Sequence, residues 1–168
     1  MSDLASRLDH LEQIEAIRRL KHAVYCGGVD RLVAGDPSGK SAISAHLADD
    51  VVGDWSGRDL MVGKAAVEAF LFEEVPSVLS YSQHRVMNDV IDIDGDTATA
   101  SWYLDCPAVF RPGNMRKIQG SGIIIGRYQE QYVRQYGVWK WRRITALLDA
   151  VQVFEHNWSA AVQRERNR

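Results

Sequence analysis

The sequence has few of the residues that would tie it to a disulfide framework, a cysteine zinc site or a highly charged partner. Two cysteines, Cys26 and Cys106, occur among 168 residues and form no CxxC pair, so neither a disulfide scaffold nor a zinc site is expected. The charged residues nearly balance, to a net charge of −2. This balance gives no electrostatic reason to expect nucleic acid or an anionic membrane as a partner.

Long apolar runs are missing too. The N-terminal stretch MSDLASRLDHLEQ is charged from its third residue and has no apolar core, so it is not predicted to be a signal peptide. No segment approaches the roughly 20 apolar residues of a membrane span. Because no linker, repeat or low-complexity segment divides the chain, residues 1–168 are predicted to form one cytoplasmic domain. Its hydrophobic content of 46% is enough for a sizeable core.

The first half of the chain has helical periodicity. Apolar residues recur every three or four positions from Leu4 to Val24, which predicts a long amphipathic helix that ends at Gly27-Gly28. Residues 41–47 and 63–72 predict two further helices, with Pro76 fixing a break after the second. Residues 51–55 predict a short strand between them.

From residue 82 the pattern becomes that of strands. Two strands flank a turn at Asp94-Gly95, and two more follow the turns at 111–114 and 135–137. The tail from residue 155 is predicted to be helical and polar. Helices followed by long antiparallel strands indicate an α+β fold, in which helices pack on one face of a curved sheet that can enclose a conical pocket.

Residues 34–41, AGDPSGKS, are similar to a phosphate-binding loop but lack its first glycine. A working loop of this kind follows a strand and opens a helix, whereas this stretch follows a helix. Asp36 would repel phosphate, and Pro37 removes a backbone donor. The stretch is therefore predicted to be a polar loop between helices, in which Ser38 or Ser41 caps the next helix.

Three side chains are the best candidates for acid–base chemistry. Tyr25 lies at the end of the apolar face of the first helix, Asp30 follows five residues later, and His84 opens a strand. Taken singly, Asp30 is more often a loop carboxylate or a cap, and a lone histidine is more often a structural residue. Their assignment to a site therefore depends on which face of the sheet His84 occupies.

Strand parity leaves that face open. A two-residue turn at Gly95 places His84 on a polar face, whereas a three-residue turn places it on the side of Cys106. The polar residues of that face are Asn88, Thr99, Ser101, Tyr103 and Asp105. A solvated outer surface and a wet pocket explain such a face equally well.

Four segments together resemble a known family. They are residues 14–30 (IEAIRRLKHAVYCGGVD), 46–57 (HLADDVVGDWSG), 84–104 (HRVMNDVIDIDGDTATASWYL) and 138–144 (VWKWRRI). Their order and spacing resemble the SnoaL-like branch of the NTF2-like superfamily, and within it the dehydratase-type members such as scytalone dehydratase, bile-acid 7α-dehydratase and hexachlorocyclohexane dehydrochlorinase. The resemblance implies an α+β cone made of a curved antiparallel sheet wrapped around N-terminal helices.

The resemblance also implies a site. In those members an Asp after the first helix pairs with a strand His that acts as general base, which here are Asp30 and His84. Tyr25 matches a tyrosine of the bile-acid enzyme, and Arg143 is the weakly matched candidate for the arginine of the dehydrochlorinase, with Arg142 equally arguable. Substrate contacts are expected from Trp55, Tyr103, Asp105 and Asn88.

Two departures from the family pattern stand out. One extra residue lies between Ile17 and Tyr25, and Cys106 follows Asp105 where the bile-acid enzyme has an acidic pair.

Four further residues are either pocket lining or plain core, with core favoured for most of them: Trp102, Phe70, Phe72 and Met61.

The function implied by the resemblance is a cofactor-independent lyase or isomerase. It would eliminate water or halide from a small apolar ring compound in the cone, or shift a double bond, without a metal. The alternatives are a non-catalytic NTF2-like binding module and the small subunit of a ring-hydroxylating dioxygenase. A homo-oligomer, dimer or trimer, is expected because relatives self-associate.

Overall fold

The computed structural model describes residues 3–154, so the helix predicted from residue 155 lies outside the described residues. The first helical run comprises α1 (Leu4–Arg19), a π-helical segment (Leu20–Cys26) and α2 (Gly27–Val33), followed by α3 (Gly39–Ala45). A second run comprises α4 (Lys64–Ala69), a π-helical segment (Phe70–Glu74) and α5 (Val75–Val78). No helix among the described residues is long and apolar enough to cross a membrane.

The predicted end of the first helix at Gly27-Gly28 is wrong, because the chain stays helical to Val33. The glycines serve packing instead of termination. A Cβ on Gly39 would lie 2.5 Å from the carbonyl oxygen of Gly28, and one on Gly28 would lie 2.9 Å from Ile43. The two glycines therefore allow α2 and α3 to approach closely.

The second run also extends further than predicted. Pro76 lies in the first turn of α5, where a missing N–H is tolerated, and the chain leaves the helix at Leu79. The break expected at Pro76 is therefore displaced to the end of α5.

The sheet has seven strands: β1 (Leu47–Trp55), β2 (Met61–Val62), β3 (Leu79–Ser82), β4 (Arg85–Asp94), β5 (Thr97–Phe110), β6 (Ser121–Gln135) and β7 (Val138–Val153). Their order is β2-β1-β7-β6-β5-β3, with β4 also paired to β5. All neighbours are antiparallel except β1 and β7, which are parallel. The predicted α+β cone is confirmed, with a mixed sheet in place of a wholly antiparallel one.

One face of the long strands carries the core. Along β5 every second residue from Ala98 to Cys106 is buried, the period-2 pattern of a strand with one covered face. Trp102 and Trp141 are among the largest fully buried side chains, and they pack in one cluster with Ile17 of α1. The helices thus fill the inside of the curled sheet.

The phosphate-loop-like stretch is a helix-to-helix connection. Asp36 accepts a hydrogen bond from the backbone N–H of Ser38 at 2.9 Å, and this bond lowers the pKa of the Asp36 carboxyl. Ser38 precedes α3 but makes no side-chain capping bond, and Ser41 lies within α3. The predicted serine cap is therefore wrong, and an aspartate orders the turn.

The β4–β5 hairpin decides the position of His84. Asp94 pairs with Thr97, so the turn has two residues, as in one of the two predicted cases. The register then shifts between Met87 and Val90, and Asn88 there adopts a positive φ of 54°. This is a β-bulge, in which one extra residue switches the faces of the remaining strand.

Candidate active site

Asp30 and His84 are joined directly. The Nδ1 atom of His84 lies 2.6 Å from Oδ1 of Asp30, and the backbone N–H of His84 donates to Oδ2 at 2.9 Å. The hydroxyl of Ser82 also donates to Oδ1 at 2.7 Å. Because the carboxylate accepts at Nδ1, the proton of a neutral imidazole is held there, and Nε2 is left to accept a proton.

The two halves of this pair come from distant parts of the chain. Asp30 lies in α2, and His84 lies in the short link between β3 and β4. The bulge at Asn88 reverses the parity of the start of β4, so Val86 pairs with Leu104 and both are buried. By the same register His84 faces inward, opposite Cys106.

Tyr25 belongs to the same cluster. Its ring centroid lies 6.4 Å from that of His84 in an edge-to-face arrangement. Tyr25 lies within the π-helical segment Leu20–Cys26, where i→i+5 hydrogen bonds replace the i→i+4 bonds of an α-helix. Such a segment changes the direction of its side chains, and here both Tyr25 and Asp30 contact His84.

His84 and Tyr25 line a cavity of about 200 Å³. Most of its wall is apolar, including Val29, Leu71 and Phe110, and Arg116 also contributes to the lining. The volume lies below the several hundred Å³ common for ligand pockets. An apolar cavity of about 150 Å³ holds benzene, so this one suits a single ring with small substituents.

The Tyr25 hydroxyl is a permanent donor at ordinary pH. Burial raises the pKa of Tyr25 far above its usual value, despite hydrogen bonds with Tyr128 and Trp55 that favour the anion. Burial, with a smaller contribution from the neighbouring Tyr25, raises the pKa of Tyr128 as well. The cavity therefore presents neutral phenols beside the imidazole.

His84 has a raised basicity. Burial alone lowers the pKa of an imidazole, but the interactions with Cys106 and Asp30 outweigh it, and they raise the pKa of His84 well above its usual 6.5. The His84 side chain is only 11% exposed. The imidazole therefore holds its proton to a higher pH than a free histidine and becomes a free base as the pH rises through that raised pKa.

Four of the predicted site residues lie elsewhere. Tyr103 is 56% exposed, Asn88 is exposed at the bulge, and Asp105 does not line the cavity. The bulge in β4 accounts for this separation, because it places His84 on the inner face with Cys106 and not on the outer face with Tyr103 and Asp105. The fourth, Arg143, forms an ion pair with Asp54 at 3.0 Å and lies in a separate surface depression.

The aromatic candidates separate clearly. Trp55 and Phe70 line the cavity, with ring centroids 4.2 Å apart. Trp102 is core, and Phe72 and Met61 pack against the core without lining the cavity.

Sequence reasoning missed Ser82, Tyr128, Arg116 and the position of Cys106 in the cavity. Two signals pointed to Cys106: its departure from the acidic pair of the bile-acid enzyme, and the alternative strand parity that places His84 on its side. Within residues 3–154 no three His, Cys, Asp or Glu side chains are arranged to hold a metal ion.

Comparison with solved structures reveals several similar folds. The hexachlorocyclohexane dehydrochlorinase LinA-type3 of Novosphingobium barchaimii is 19% identical with a TM-score of 0.72, covering 89% of this chain and 94% of its own. A candidate scytalone dehydratase of Novosphingobium aromaticivorans is 18% identical with a TM-score of 0.72, covering 88% and 91%. These two likenesses show the fold alone.

A candidate aromatic ring hydroxylase of Novosphingobium aromaticivorans is 26% identical, with a TM-score of 0.67 and coverage of 83% of this chain and 91% of its own. None of the curated proteins matches the sequence of this chain. The sequence profile of the SnoaL-like domain, however, matches residues 9–145. This chain therefore belongs to the SnoaL-like domain family and has the NTF2-like fold.

Proposed function

We propose that the protein is a cofactor-independent lyase or isomerase in which His84 is the general base. The observation that carries this proposal is the 2.6 Å contact between His84 Nδ1 and Asp30 at the wall of an apolar cavity. Asp30 fixes the tautomer and stabilises the imidazolium, and His84 Nε2 removes a proton from the substrate. No third ionisable group has to take part in this proton transfer.

Tyr25 supplies the second half of the proposed reaction. Its buried hydroxyl keeps its proton, so it can donate a hydrogen bond to a carbonyl oxygen or to a departing group as negative charge develops there. The substrate is a small apolar ring compound that bears a leaving group or an enolisable carbonyl. Elimination of water or halide and migration of a double bond share this proton abstraction.

Trp55 is proposed as the flat wall against which the ring packs. Its tilted ring contact with Phe70 and its place in the cavity support this role. Arg116, which also lines the cavity, replaces Arg143 as the cation nearest to a bound substrate. Its guanidinium would meet a polar substituent of the substrate.

The test is a screen of hydroxylated and halogenated single-ring compounds. Wild type and His84→Ala are compared for release of halide and for the absorbance of a new conjugated double bond. We expect at least one compound to be converted by wild type and a roughly 10²–10⁴-fold slower reaction in His84→Ala. Conversion at equal rates by both proteins would remove the proposal.

The likeness to a candidate ring hydroxylase favours a second function, that of a non-catalytic dioxygenase subunit or binding module. That reading requires a filled, inert cone and a tight heteromeric partner, and the open cavity beside His84 favours the enzyme. A stable complex with a co-expressed hydroxylase large subunit, together with no turnover in the screen, would favour the second function instead.

We further propose that the chain self-associates as a dimer or trimer. Leu4, Leu8 and Leu11 of α1 are 75%, 55% and 61% exposed, although they form an apolar stripe of the kind that marks interaction surfaces. Light scattering of wild type and of Leu8→Glu is the test. A mass of one chain for wild type would contradict self-association.

A further inference from the structure

Cys106 occupies the cavity wall beside His84. The pairs Arg85–Asp105 and Val86–Leu104 place His84 opposite Cys106 by continuation of the same register. Cys106 is only 1% exposed, yet it lines the cavity. Its sulfur is therefore reached from the cavity and not from the outer surface.

The thiol and the imidazole interact. His84 and Cys106 share the wall of one cavity, and Cys106 is among the groups that raise the pKa of His84, while Nδ1 of His84 is held by Asp30 at 2.6 Å. This leaves Nε2 as the nitrogen available to the sulfur. The three groups lie in the order thiol, imidazole and carboxylate. This is the order of an activated nucleophile, its base and the group that orients the base.

The second cysteine provides a contrast within the same molecule. Cys26 is 3% exposed in the π-helical segment and does not line the cavity. Burial raises the pKa of its thiol and keeps it protonated. Both cysteines are buried and free, but only the sulfur of Cys106 combines an oriented base with space for a ligand.

We propose that Cys106 is a nucleophile that forms a thioether with small α,β-unsaturated carbonyl compounds bound in the cavity. The inference rests on the proposed function, since dehydration of a β-hydroxy ketone generates such a compound next to this sulfur. Tyr25, as hydrogen-bond donor to the carbonyl, would make the β-carbon electrophilic. The cavity of about 200 Å³ accepts one such ring.

The step is a conjugate addition and needs no oxidant or reductant. The proton of the Cys106 thiol passes to Nε2 of His84, and the sulfur attacks the β-carbon. A C–S bond forms, the π bond between the α- and β-carbons breaks, and the α-carbon takes the proton back from the imidazolium. The protein gains the full mass of one ligand molecule.

Cyclohex-2-enone is a suitable probe, because it is a single ring that contains the reactive group. Intact-mass and peptide spectrometry would follow its addition to wild type, Cys106→Ser, Cys106→Ala and the matched control Cys26→Ser. We expect one adduct, on residue 106, in wild type and Cys26→Ser, and none in the two variants at position 106. No adduct in wild type, or an adduct on Cys26, would overturn the proposal.

The role of His84 as the base is measured with a separate variant. His84→Asn should slow adduct formation by at least about tenfold, the lower side of what a positioned base contributes, while circular dichroism checks that the fold is retained. Unchanged labelling in His84→Asn would contradict activation by this pair. Adduct formation without any turnover in the compound screen would remove the proposed lyase and leave the thiol chemistry. Turnover without an adduct would remove the thiol chemistry and leave the proposed lyase.

Discussion

Two clusters of ionisable side chains lie inside this protein, and they differ in access. The cavity cluster consists of Asp30, His84 and Cys106. The core cluster consists of Lys21, Glu130 and Tyr132, with Lys21 Nζ 2.7 Å from Glu130 Oε1 and the Tyr132 hydroxyl donating to the other carboxylate oxygen. Both side chains of the Lys21–Glu130 pair are fully buried.

The charged groups of the core cluster interact with each other and with neighbouring aromatic rings. The Lys21 ammonium also lies 3.3 Å from the centroid of the Tyr128 ring and 4.0 Å from that of Tyr25, and burial together with the Glu130 charge raises the pKa of Tyr132. In the cavity cluster, by contrast, His84 and Cys106 line space that a ligand can fill. Both clusters thus contain buried ionisable side chains. They differ because a ligand can reach the cavity cluster but not the core cluster, and this access is the reason to propose chemistry at the first and a structural role for the second.

The two clusters meet at the phenols. Tyr25 and Tyr128 line the cavity on one side and contact Lys21 on the other. Changes in one cluster should therefore be read for both stability and turnover. We expect substitutions in the core cluster to change mainly stability and substitutions in the cavity cluster to change mainly turnover.

Asp30→Asn should have the largest effect, and on turnover. An amide at this position can donate to Nδ1 and so favours the wrong tautomer of His84, leaving Nε2 protonated. Such a change in an aspartate–histidine pair lowers turnover about 10⁴-fold in a serine protease, and we expect roughly 10³–10⁴-fold here. Steady-state kinetics with a compound found in the screen gives the measurement, and a loss below tenfold would place Asp30 outside the mechanism.

Lys21→Met should have the next largest effect, but on stability. It leaves the Glu130 carboxylate buried without its cation, and removal of one partner of a buried pair costs about 3–5 kcal/mol. Urea unfolding gives the measurement. The matched control is Arg127→Ala, which breaks the half-exposed Arg127–Asp149 pair and should cost less than about 1 kcal/mol. Equal losses in the two variants would show that the core cluster has no special role.

The pH dependence of His84 follows from its partners. Cys106 and Asp30 raise the pKa of His84, so the stability from its protonated form is full below the usual value of 6.5 and is lost as the pH rises through the higher pKa of the folded state. Cys106→Ser replaces one of these two partners and should lower that pKa. NMR titration of the imidazole tests the direction, and a pKa that rises in Cys106→Ser would contradict it.

Much of the fold was predictable because its signals are periodic. The apolar spacing from Leu4 to Val24 and the alternation along β5 predicted the helix and the strand. The helix end at Gly27-Gly28 was mispredicted because glycine serves both termination and close packing, and only the contact with Gly39 distinguishes them. The extra residue between Ile17 and Tyr25 fits the π-helical segment Leu20–Cys26, which accommodates an insertion in a helix.

The candidate site was half predictable. The spacing of Tyr25, Asp30 and His84 matched the family, and the structure brings the three together. Strand parity left the face of His84 open, and the polar residues offered as substrate contacts lie on the other face because a bulge changes parity without changing composition. Asn88 is exposed and adopts the positive φ of that bulge, a conformation that asparagine tolerates.

Ser82→Ala should have the smallest effect, and it tests how finely the cavity cluster depends on position. The Ser82 hydroxyl is one of three donors to Asp30, at 2.7 Å, and the two from His84 remain in the variant. One lost hydrogen bond costs about 1 kcal/mol, so turnover should fall by several-fold and stability by a similar energy. Ser80→Ala, an exposed neighbour whose hydroxyl donates to Val109, is the matched control. If Ser82→Ala loses as much turnover as Asp30→Asn, the serine is part of the proton path, because a bond that only orients the carboxylate is backed up by two others.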